Sequence, residues 1–472
     1  MSAKKSFGIF WKVAAVAVLA LIAAVAWLVA SFDEQVRPVI AINYAEELAS
    51  LAREYQPESG TQPNRRDEFI DLVLETQRVK ERAIGDSRLR ITRAIDSPPE
   101  EEPEPAASPF GDGDPTFAED REVAMDYLAA LDQTDFYARA AALPGIQHSV
   151  LELPTDESLL DSTLINGDPL EHISAHLSLG RILTVRAVLD ARAGETDAAL
   201  ERLEQALATA RLTSNEPFLL SRLVTVAIEI YVIDQAVGLV ADHLFSSEQL
   251  DELTRIVNAQ RPTNFEYALR TEQMIALDLI QRVYSDNGSG DGVLLLGEVA
   301  SYASDGLTYN TSNLFNIIAG KFYPSRRTTT DAVNGMYDAG AAIARDPSVD
   351  FNALREAEAT VATISDRVLI LGTVVSTIAR IAESSIAVHT WRGAFEIVVA
   401  LEHYFVMTGT YPESLDALVP EYLPSLPLDH LAADGRFIYA LSEDGNRAYT
   451  LYSVGKDGID NGGGDADFMF VP

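Results

Sequence analysis

The chain of 472 residues contains no cysteine, which excludes disulfide bonds, thiolate metal sites and cysteine nucleophiles. Positive charge is also scarce: 36 Lys and Arg residues stand against 71 Asp and Glu residues, and the net charge is −35. A chain this acidic is repelled by nucleic acid, so we expect no nucleic-acid partner.

Common catalytic motifs are missing as well. The sequence has no Gly-x-Ser-x-Gly nucleophile turn and no Gly-x-x-x-x-Gly-Lys phosphate loop. His172 and His176 have the four-residue spacing of some zinc sites, but the zinc-protease pattern places Glu directly after the first His, whereas Glu171 precedes it here. We therefore interpret both histidines as structural and predict that the protein is not an enzyme.

A long apolar segment lies near the N-terminus. Residues 13–30 are uncharged, and as a helix they would span about 27 Å, close to the thickness of a bilayer core. Lysines precede this segment and Asp33 and Glu34 follow it, which predicts a cytoplasmic N-terminus and an extracytoplasmic body. A cleaved signal peptide is the alternative, although Leu28-Val-Ala30 is a poor cleavage site. We predict a retained single-pass anchor, 13–31, in the bacterial inner membrane.

The chain length is sufficient for two or three domains, and the apolar content of 47% allows a large core. Periodicity and composition predict a mainly α fold, made of an N-terminal transmembrane helix, an extracytoplasmic helical body and a small C-terminal α+β domain. The predicted parts are a cytoplasmic segment 1–12, the anchor 13–31, a helical segment 32–96, a disordered acidic Pro-rich linker 97–118, a helical body 119–385 that is rich in loops at 285–330, and a C-terminal domain 386–472.

Three local patterns support the helical body. Residues 191–200 contain Gly194 and are typical of a single tetratricopeptide-type helical hairpin. Ser246 and Gln249 have the spacing of a capping box. Apolar residues at alternating spacings of three and four predict a seam that packs within the chain, formed by Val361, Ile364, Val368, Leu371, Val375 and Ile378.

The C-terminal domain is predicted as a long helix followed by a small antiparallel sheet. Gly409 is placed to end the helix with a positive φ. Residues 437–441 and 448–454 are rich in strand-forming residues, and Asp444-Gly-Asn446 between them is typical of a hairpin turn. In the second strand, alternation places Tyr449 and Leu451 on one face and Tyr452 and Val454 on the other.

A glycine-rich loop near the C-terminus carries Asp457, Asp460, Asp465 and Asp467. Carboxylates and main-chain carbonyls on flexible glycines are ligands that calcium prefers, although the spacing is not that of an EF-hand. A solvated acidic turn is the alternative from the residues alone. The loop at 285–292 is also rich in Asp and Gly, and we interpret it as a plain surface loop.

Residues 387–468 resemble the C-terminal domain of the major pseudopilin of type II secretion. The shared motifs are Leu401-Glu-His-Tyr404, Thr408-Gly-Thr-Tyr-Pro412, Leu418-Val-Pro420, Tyr422-Leu-Pro424 and Tyr452-Ser-Val-Gly-Lys-Asp-Gly458 with Asp465-Ala-Asp467. The resemblance implies a calcium site in which Asp457 and Asp467 match the ligand aspartates of the family and the carbonyl of Val454 matches a main-chain ligand. Asp465 lies where the family varies, and we include it in the predicted ligand set.

Two departures from the family are clear. The segment Leu428-Asp429-His430 replaces the usual Asp-Pro followed by an aromatic residue. The pilin leader ends in Gly before Phe and is followed by a Glu at the fifth mature position, whereas Gly8 precedes Ile9 here and Val13 is the fifth residue. We therefore expect that the protein is not incorporated as a major pilus subunit.

These features lead to three functional hypotheses. The first is a membrane-anchored extracytoplasmic structural or interaction protein with a calcium-stabilised pseudopilin-like domain and protein partners in the cell envelope. The second is a component of a type II secretion or pilus-like apparatus. The third is a hydrolase built on the helical body, for which the sequence nominates no catalytic residues.

Overall fold

A computed structural model describes most of the chain from Pro38 onward. The described residues are 38–55, 63–84, 117–147, 149–151, 171–260, 265–303, 320–345, 352–365, 378–432, 434–442, 448–455, 459–463 and 467–471. The predicted anchor at 13–31 lies outside these residues, and so does the predicted linker up to residue 116.

Within the described residues, the protein is mainly helical with a small antiparallel sheet near the C-terminus. The helices are α1 (Tyr44–Tyr55), α2 (Arg66–Ile84), α3 (Phe117–Asp132), α4 (Phe136–Ala140), α5 (Glu171–Arg192), α6 (Thr196–Thr213), α7 (Leu219–Ala241), α8 (Ser247–Ala259), α9 (Phe265–Val283), α10 (Leu296–Ala303), α11 (Arg326–Arg345), α12 (Asn352–Ser365) and α13 (Ile378–Thr408). Short 3-10 helices cover Leu143–Gly145 and Leu415–Leu418, and the strands are β1 (Ile438–Leu441), β2 (Tyr449–Ser453) and β3 (Phe468–Val471).

Several helix boundaries agree with the sequence patterns. Gly194 adopts a φ of 87° and joins α5 to α6, which confirms the predicted helical hairpin. Ser246 and Gln249 form both hydrogen bonds of the capping box at the start of α8. Gly409 follows α13 with a φ of 77°. The helix α3 begins at Phe117, inside the last two residues of the predicted linker, a difference within the usual uncertainty of helix ends.

Two hydrophobic cores are joined by two long helices. The first core contains most of α5, α6 and α8, the second half of α7 and the second half of α13. The second core contains α9, α11 and α12, together with Leu219 at the start of α7 and Ile378 and Ala382 at the start of α13. Val361, Ile364 and Ile378 of the predicted seam are buried in this second core, so the intramolecular prediction is confirmed for them; Val368, Leu371 and Val375 lie outside the described residues.

The helix α7 is long and apolar enough to cross a membrane by length and composition. More than half of its residues are buried inside the protein, and it contacts α5, α6 and α13. Gly180 of α5 permits one close approach, because a Cβ at this position would lie 2.6 Å from Cγ2 of Ile228. These contacts are those of a central core helix. Its N-terminus is capped from α9, where Oε1 of Glu272 accepts a hydrogen bond from the main-chain N of Leu219 over 3.3 Å.

The sheet has the order β1-β2-β3, and all of its pairings are antiparallel. Tyr449 and Leu451 face the first core, whereas Tyr452 and Val454 belong to a small cluster on the other face, which confirms the predicted alternation. Strand β3 was not predicted, because its four residues directly follow the aspartate-rich loop and are too few to show alternation. Leu441 pairs with Tyr449, so the chain reverses where a hairpin turn was expected.

The C-terminal sheet and the helical body share the first core. Phe470 of β3 lies edge-on to Trp391 of α13 with ring centroids 4.5 Å apart, and β3 also contacts α7. Gly393 of α13 allows the chain to approach closely, since a Cβ there would lie 3.0 Å from Cβ of Pro427. The domain boundary predicted at residue 386 falls inside α13, whose two ends lie in different cores.

A buried ion pair fixes α13 against the body. Arg392 of α13 donates through Nε to Oε1 of Glu229 of α7 over 2.7 Å, and its Nη2 contacts the same oxygen. Its Nη1 donates to the carbonyl of Val257 near the end of α8 over 3.0 Å. Both charged side chains are buried, and the charge of nearby Arg222 also acts on both of them.

We predict that Arg392→Ala destabilises the protein by about 3–5 kcal/mol, because it removes the hydrogen bonds that Arg392 donates to the buried Glu229 carboxylate and leaves only the nearby charge of Arg222. The matched control is Arg355→Ala, which removes an exposed ion pair with Glu383 at the other end of α13 and should cost less than about 1 kcal/mol. Chemical denaturation of the purified chain measures both values. Equal effects of the two variants would contradict the proposed role of the buried pair.

Candidate functional site

The aspartate-rich loop connects β2 to β3. Ser453 pairs with Phe468 across the two strands, so Val454 and Asp467 are the next residues outward and stand at the base of the loop. Val454 is buried in the small cluster on the outer face of the sheet. The strands therefore position two of the four predicted ligands at the same end of the sheet. The other two, Asp457 and Asp465, lie outside the described residues.

The carboxylate of Asp467 points into the loop. Its Oδ2 accepts hydrogen bonds from the main-chain N of Asn461 over 3.0 Å and of Gly463 over 2.8 Å. Its Oδ1 is buried and has no hydrogen-bond partner among the described residues. A buried carboxylate oxygen without a donor is unfavourable unless a cation or another donor meets it. This oxygen has the chemistry that a hard cation requires.

Asp460 organises the outer part of the loop. Its Oδ1 accepts hydrogen bonds from the Tyr452 hydroxyl over 2.9 Å and from the main-chain N of Gly462 over 2.8 Å. Burial and the hydrogen bond to Asp460 raise the pKa of Tyr452 to about 12, so the hydroxyl keeps its proton and remains a donor. Gly462 and Gly463 adopt φ values of 69° and 79°, which favour glycine at both positions.

No group of three or more His, Asp or Glu side chains able to hold a metal occurs within the described ranges. Because two of the three predicted aspartate ligands are outside those ranges, the calcium site stays a prediction. The described part of the loop fits a cation through the free oxygen of Asp467. Asp460, which was not among the predicted ligands, serves instead as an acceptor within the loop.

A second polar group joins α13 to the body. The buried carboxylate of Glu402 is held by two side chains: Nδ1 of His243 lies 2.8 Å from Oε2, and the Tyr411 hydroxyl donates to Oε1 over 2.5 Å. His243 follows the end of α7 with a φ of 57°, and its ring stacks on Phe405 of α13. The sequence motif Leu401-Glu-His-Tyr404 flagged this helix end, but the partner after α7 is too distant in sequence to be predicted.

Of the two histidines with zinc-like spacing, His176 is buried in the first half of α5, and its ring centroid lies 5.0 Å from that of Phe69. Within the described residues, neither ring nitrogen of His176 has a hydrogen-bond partner, nor has Nδ1 of His172. Burial lowers the pKa of His176 to about 3. Glu216, whose carboxylate interacts electrostatically with His172, forms an ion pair with Arg66 over 2.8 Å. This environment supports the structural interpretation.

Comparisons with known proteins identify no relative. No family model matches the chain, and searches of curated proteins and of solved structures find no similar protein. The resemblance to the major pseudopilin therefore rests on the ordered motifs of residues 401–467.

We predict that His176 makes the protein sensitive to mild acid. The folded state keeps its imidazole neutral down to a pH of about 3, whereas the unfolded chain takes up a proton near its ordinary pKa of 6.5. The unfolded state thus binds more protons between these values, and stability falls as the pH decreases.

The test is His176→Leu. Between pH 7 and 5.5 the variant should lose about 1 kcal/mol less stability than the wild type, measured by chemical denaturation at both pH values. His430→Leu, which replaces an exposed histidine, is the control. If the His176 variant and the wild type show the same pH dependence, burial of the neutral ring is not the cause.

Proposed function

We propose that the protein is a membrane-anchored, extracytoplasmic structural or interaction protein whose pseudopilin-like C-terminal sheet is stabilised by calcium and mounted on a helical scaffold. The observation that carries the proposal is the buried Oδ1 of Asp467 at the base of the β2–β3 loop, for which the described part of the chain supplies no hydrogen-bond donor. The other Asp467 oxygen already holds the loop main chain, so one carboxylate links loop closure to ion binding.

The physical role of the ion follows from charge. Without a cation, Asp457, Asp465 and Asp467 repel one another on a loop whose glycines leave the main chain free. A divalent cation removes this repulsion and holds the loop against the end of the sheet. The sheet shares the first core with α7 and α13. Closure of the loop against the sheet therefore stabilises the C-terminal sheet and, through the shared core, the helical body.

We predict that calcium raises the melting temperature of the purified full-length chain relative to chelator, and that magnesium raises it less because it demands a smaller octahedral site and retains its waters. At a calcium concentration a hundredfold above the dissociation constant, the gain is about 2.7 kcal/mol. The full chain is the appropriate sample, since removing the body would expose the shared core.

Two variants and a control sharpen the calcium test. Asp457→Ala and Asp467→Asn should both abolish the rise in melting temperature; Asp467→Asn keeps an acceptor for the loop N–H groups and removes only the charge. Asp416→Ala, which changes an exposed aspartate of the same C-terminal region, should respond to calcium like the wild type. A wild type that melts alike in calcium and chelator would leave the loop as a solvated acidic turn.

One arrangement bears on the hydrolase hypothesis. The hydroxyl of Ser247 lies 3.1 Å from Nδ1 of His403, and Nε2 of that ring lies 3.3 Å from Oδ1 of Asp251. The contacts run Ser-His-Asp as in a catalytic triad, but the two ring nitrogens are exchanged: in the triad Nε2 faces the serine, and Nδ1 binds a buried aspartate that orients the imidazole. The side chain of Asp251 is 78% exposed here, so water screens its charge and competes for the ring.

We therefore predict that a fluorophosphonate probe does not label the wild-type protein. The measurement is mass spectrometry of the intact chain after incubation with the probe, with Ser247→Ala as the control. Labelling of the wild type that disappears in Ser247→Ala would favour the hydrolase. Specific recovery of secretion components with the full chain would favour the hypothesis of a secretion or pilus-like apparatus.

A further inference from the structure

The chain enters the described body at one defined place. Pro38 pairs with Ser285 in an isolated antiparallel bridge. A few residues after Pro38, the side chain of Gln281 forms two hydrogen bonds with the main chain of the entering segment. Its Oε1 accepts from the N of Ala41, and its Nε2 donates to the carbonyl of Ile42 over 2.8 Å. These bonds fix the start of the body to the end of α9 and to the loop that follows it.

The loop at residues 285–294 connects this entry point to the start of α11. The main-chain N of Arg326 donates to the carbonyl of Gly292 over 3.1 Å, and its guanidinium pairs with Asp286 over 3.2 Å. Arg327 donates through Nη2 to the carbonyl of Ser289 over 2.7 Å. Gly320 packs against the same loop, because a Cβ there would lie 2.6 Å from the carbonyl oxygen of Leu294. The entry segment and residues 320–327 thus lie on one side of the body.

This side exposes apolar and basic side chains together. Val39, Ile40 and Ile42 are exposed, and Phe322 is 77% exposed. Residues 320–330 carry Lys321, Arg326 and Arg327 and no carboxylate, in a chain whose net charge is −35. Asp286, which pairs with Arg326, and Asp291, which accepts from the main-chain N of Arg327, offset part of this positive charge. We name this surface, made of residues 39–42 and 320–327, the entry face. An anionic membrane surface repels most of this acidic protein. The entry face, which carries cations, is the side suited to approach such a surface.

The length of chain before Pro38 limits where the entry face can be. If residues 13–30 span the bilayer, as the proposed function holds, only residues 31–37 separate the end of the span from Pro38. Even fully extended, the eight steps from Ala30 to Pro38 reach no more than about 28 Å. Aromatic side chains favour the membrane interface, and Lys and Arg favour anionic headgroups.

We propose that the entry face lies against the membrane, with Phe322, Val39, Ile40 and Ile42 inserted at headgroup level and Lys321 and Arg327 contacting anionic lipid phosphates. This inference rests on the proposed membrane anchor. The helix α11 begins within the entry face and meets the start of α13 where Gly340 contacts Ile378, about 21 Å along α11 from Arg326. The proposal further holds that Met407, at the opposite end of α13, lies away from the bilayer.

The absence of cysteine makes the test direct, because a single introduced cysteine is the sole labelling site. The full-length chain is placed in nanodiscs of phosphatidylcholine and phosphatidylglycerol that contain lipids spin-labelled at the headgroup. Phe322→Cys and Ile40→Cys carry an environment-sensitive fluorophore. Met407→Cys is the matched control, because Met407 is also highly exposed and lies about 44 Å along α13 from Ile378.

We predict that headgroup spin labels quench the Phe322→Cys and Ile40→Cys fluorophores about twofold or more relative to the Met407→Cys fluorophore. The double change Lys321→Glu with Phe322→Ser should reduce quenching at Ile40→Cys, whereas Met407→Ser should not. Discs of phosphatidylcholine alone should give less quenching than discs that contain phosphatidylglycerol. Equal quenching at Phe322→Cys and Met407→Cys would overturn the proposal.

A label at Val18→Cys, read with spin labels deep in the acyl chains, tests the anchor separately. Quenching at Val18→Cys without quenching at Phe322→Cys keeps the anchor and overturns the entry face. Quenching at Phe322→Cys without quenching at Val18→Cys supports a lipid-bound entry face and contradicts the anchor. Shielding of the Phe322→Cys fluorophore without lipid quenching would indicate a protein partner or a second copy, and would also overturn the proposal.

Discussion

The buried pair between Arg392 and Glu229 is the constraint on which the architecture depends. Each partner lies on a long helix that runs through both hydrophobic cores, and the arginine also holds the end of α8 through the carbonyl of Val257. Apolar packing alone would tolerate small rotations and shifts between α7 and α13. A charge pair surrounded by apolar groups does not, because any displacement leaves both charges without partners in a medium that solvates them poorly.

The position of the C-terminal sheet follows from this constraint. Trp391 and Gly393, the neighbours of Arg392, are the residues of α13 that receive Phe470 and Pro427 of the C-terminal region. Further along the helix, Glu402 repeats the arrangement with His243 and Tyr411. These two polar contacts attach α13 to the body, and the sheet that carries the aspartate loop packs on α13 through Phe470 and Trp391. At the other end of α13, Ile378 packs near α11, which begins in the entry face. Two helices, α11 and α13, thus connect the proposed lipid contact to the proposed ion site.

The sequence was informative wherever local chemistry decides the structure. Gly194 determines a turn, and the capping box at Ser246 determines the start of a helix. The alternation from Tyr449 to Val454 determines which strand face each side chain occupies. In each case the deciding residues are neighbours in sequence. The pairing of Arg392 with Glu229 could not be read in this way, because charged residues within helices normally face solvent and the partners are 163 residues apart. The same holds for Glu402 and His243. In the predicted ion site, the strand register brings Val454 and Asp467 together. Whether Oδ1 of Asp467 meets a donor depends on side-chain packing, which no sequence pattern reports.

The central claim is that the C-terminal sheet and the helical body form one cooperative unit around the Arg392–Glu229 pair. Native-state hydrogen exchange across a series of low denaturant concentrations tests it most directly, because it measures the free energy of opening for each element separately. The account predicts that amides of β2 and amides in the second half of α7 exchange through the same opening, with equal free energies and equal denaturant dependence. Exchange of β2 through a separate opening of clearly lower free energy, while α7 stays protected, would contradict it.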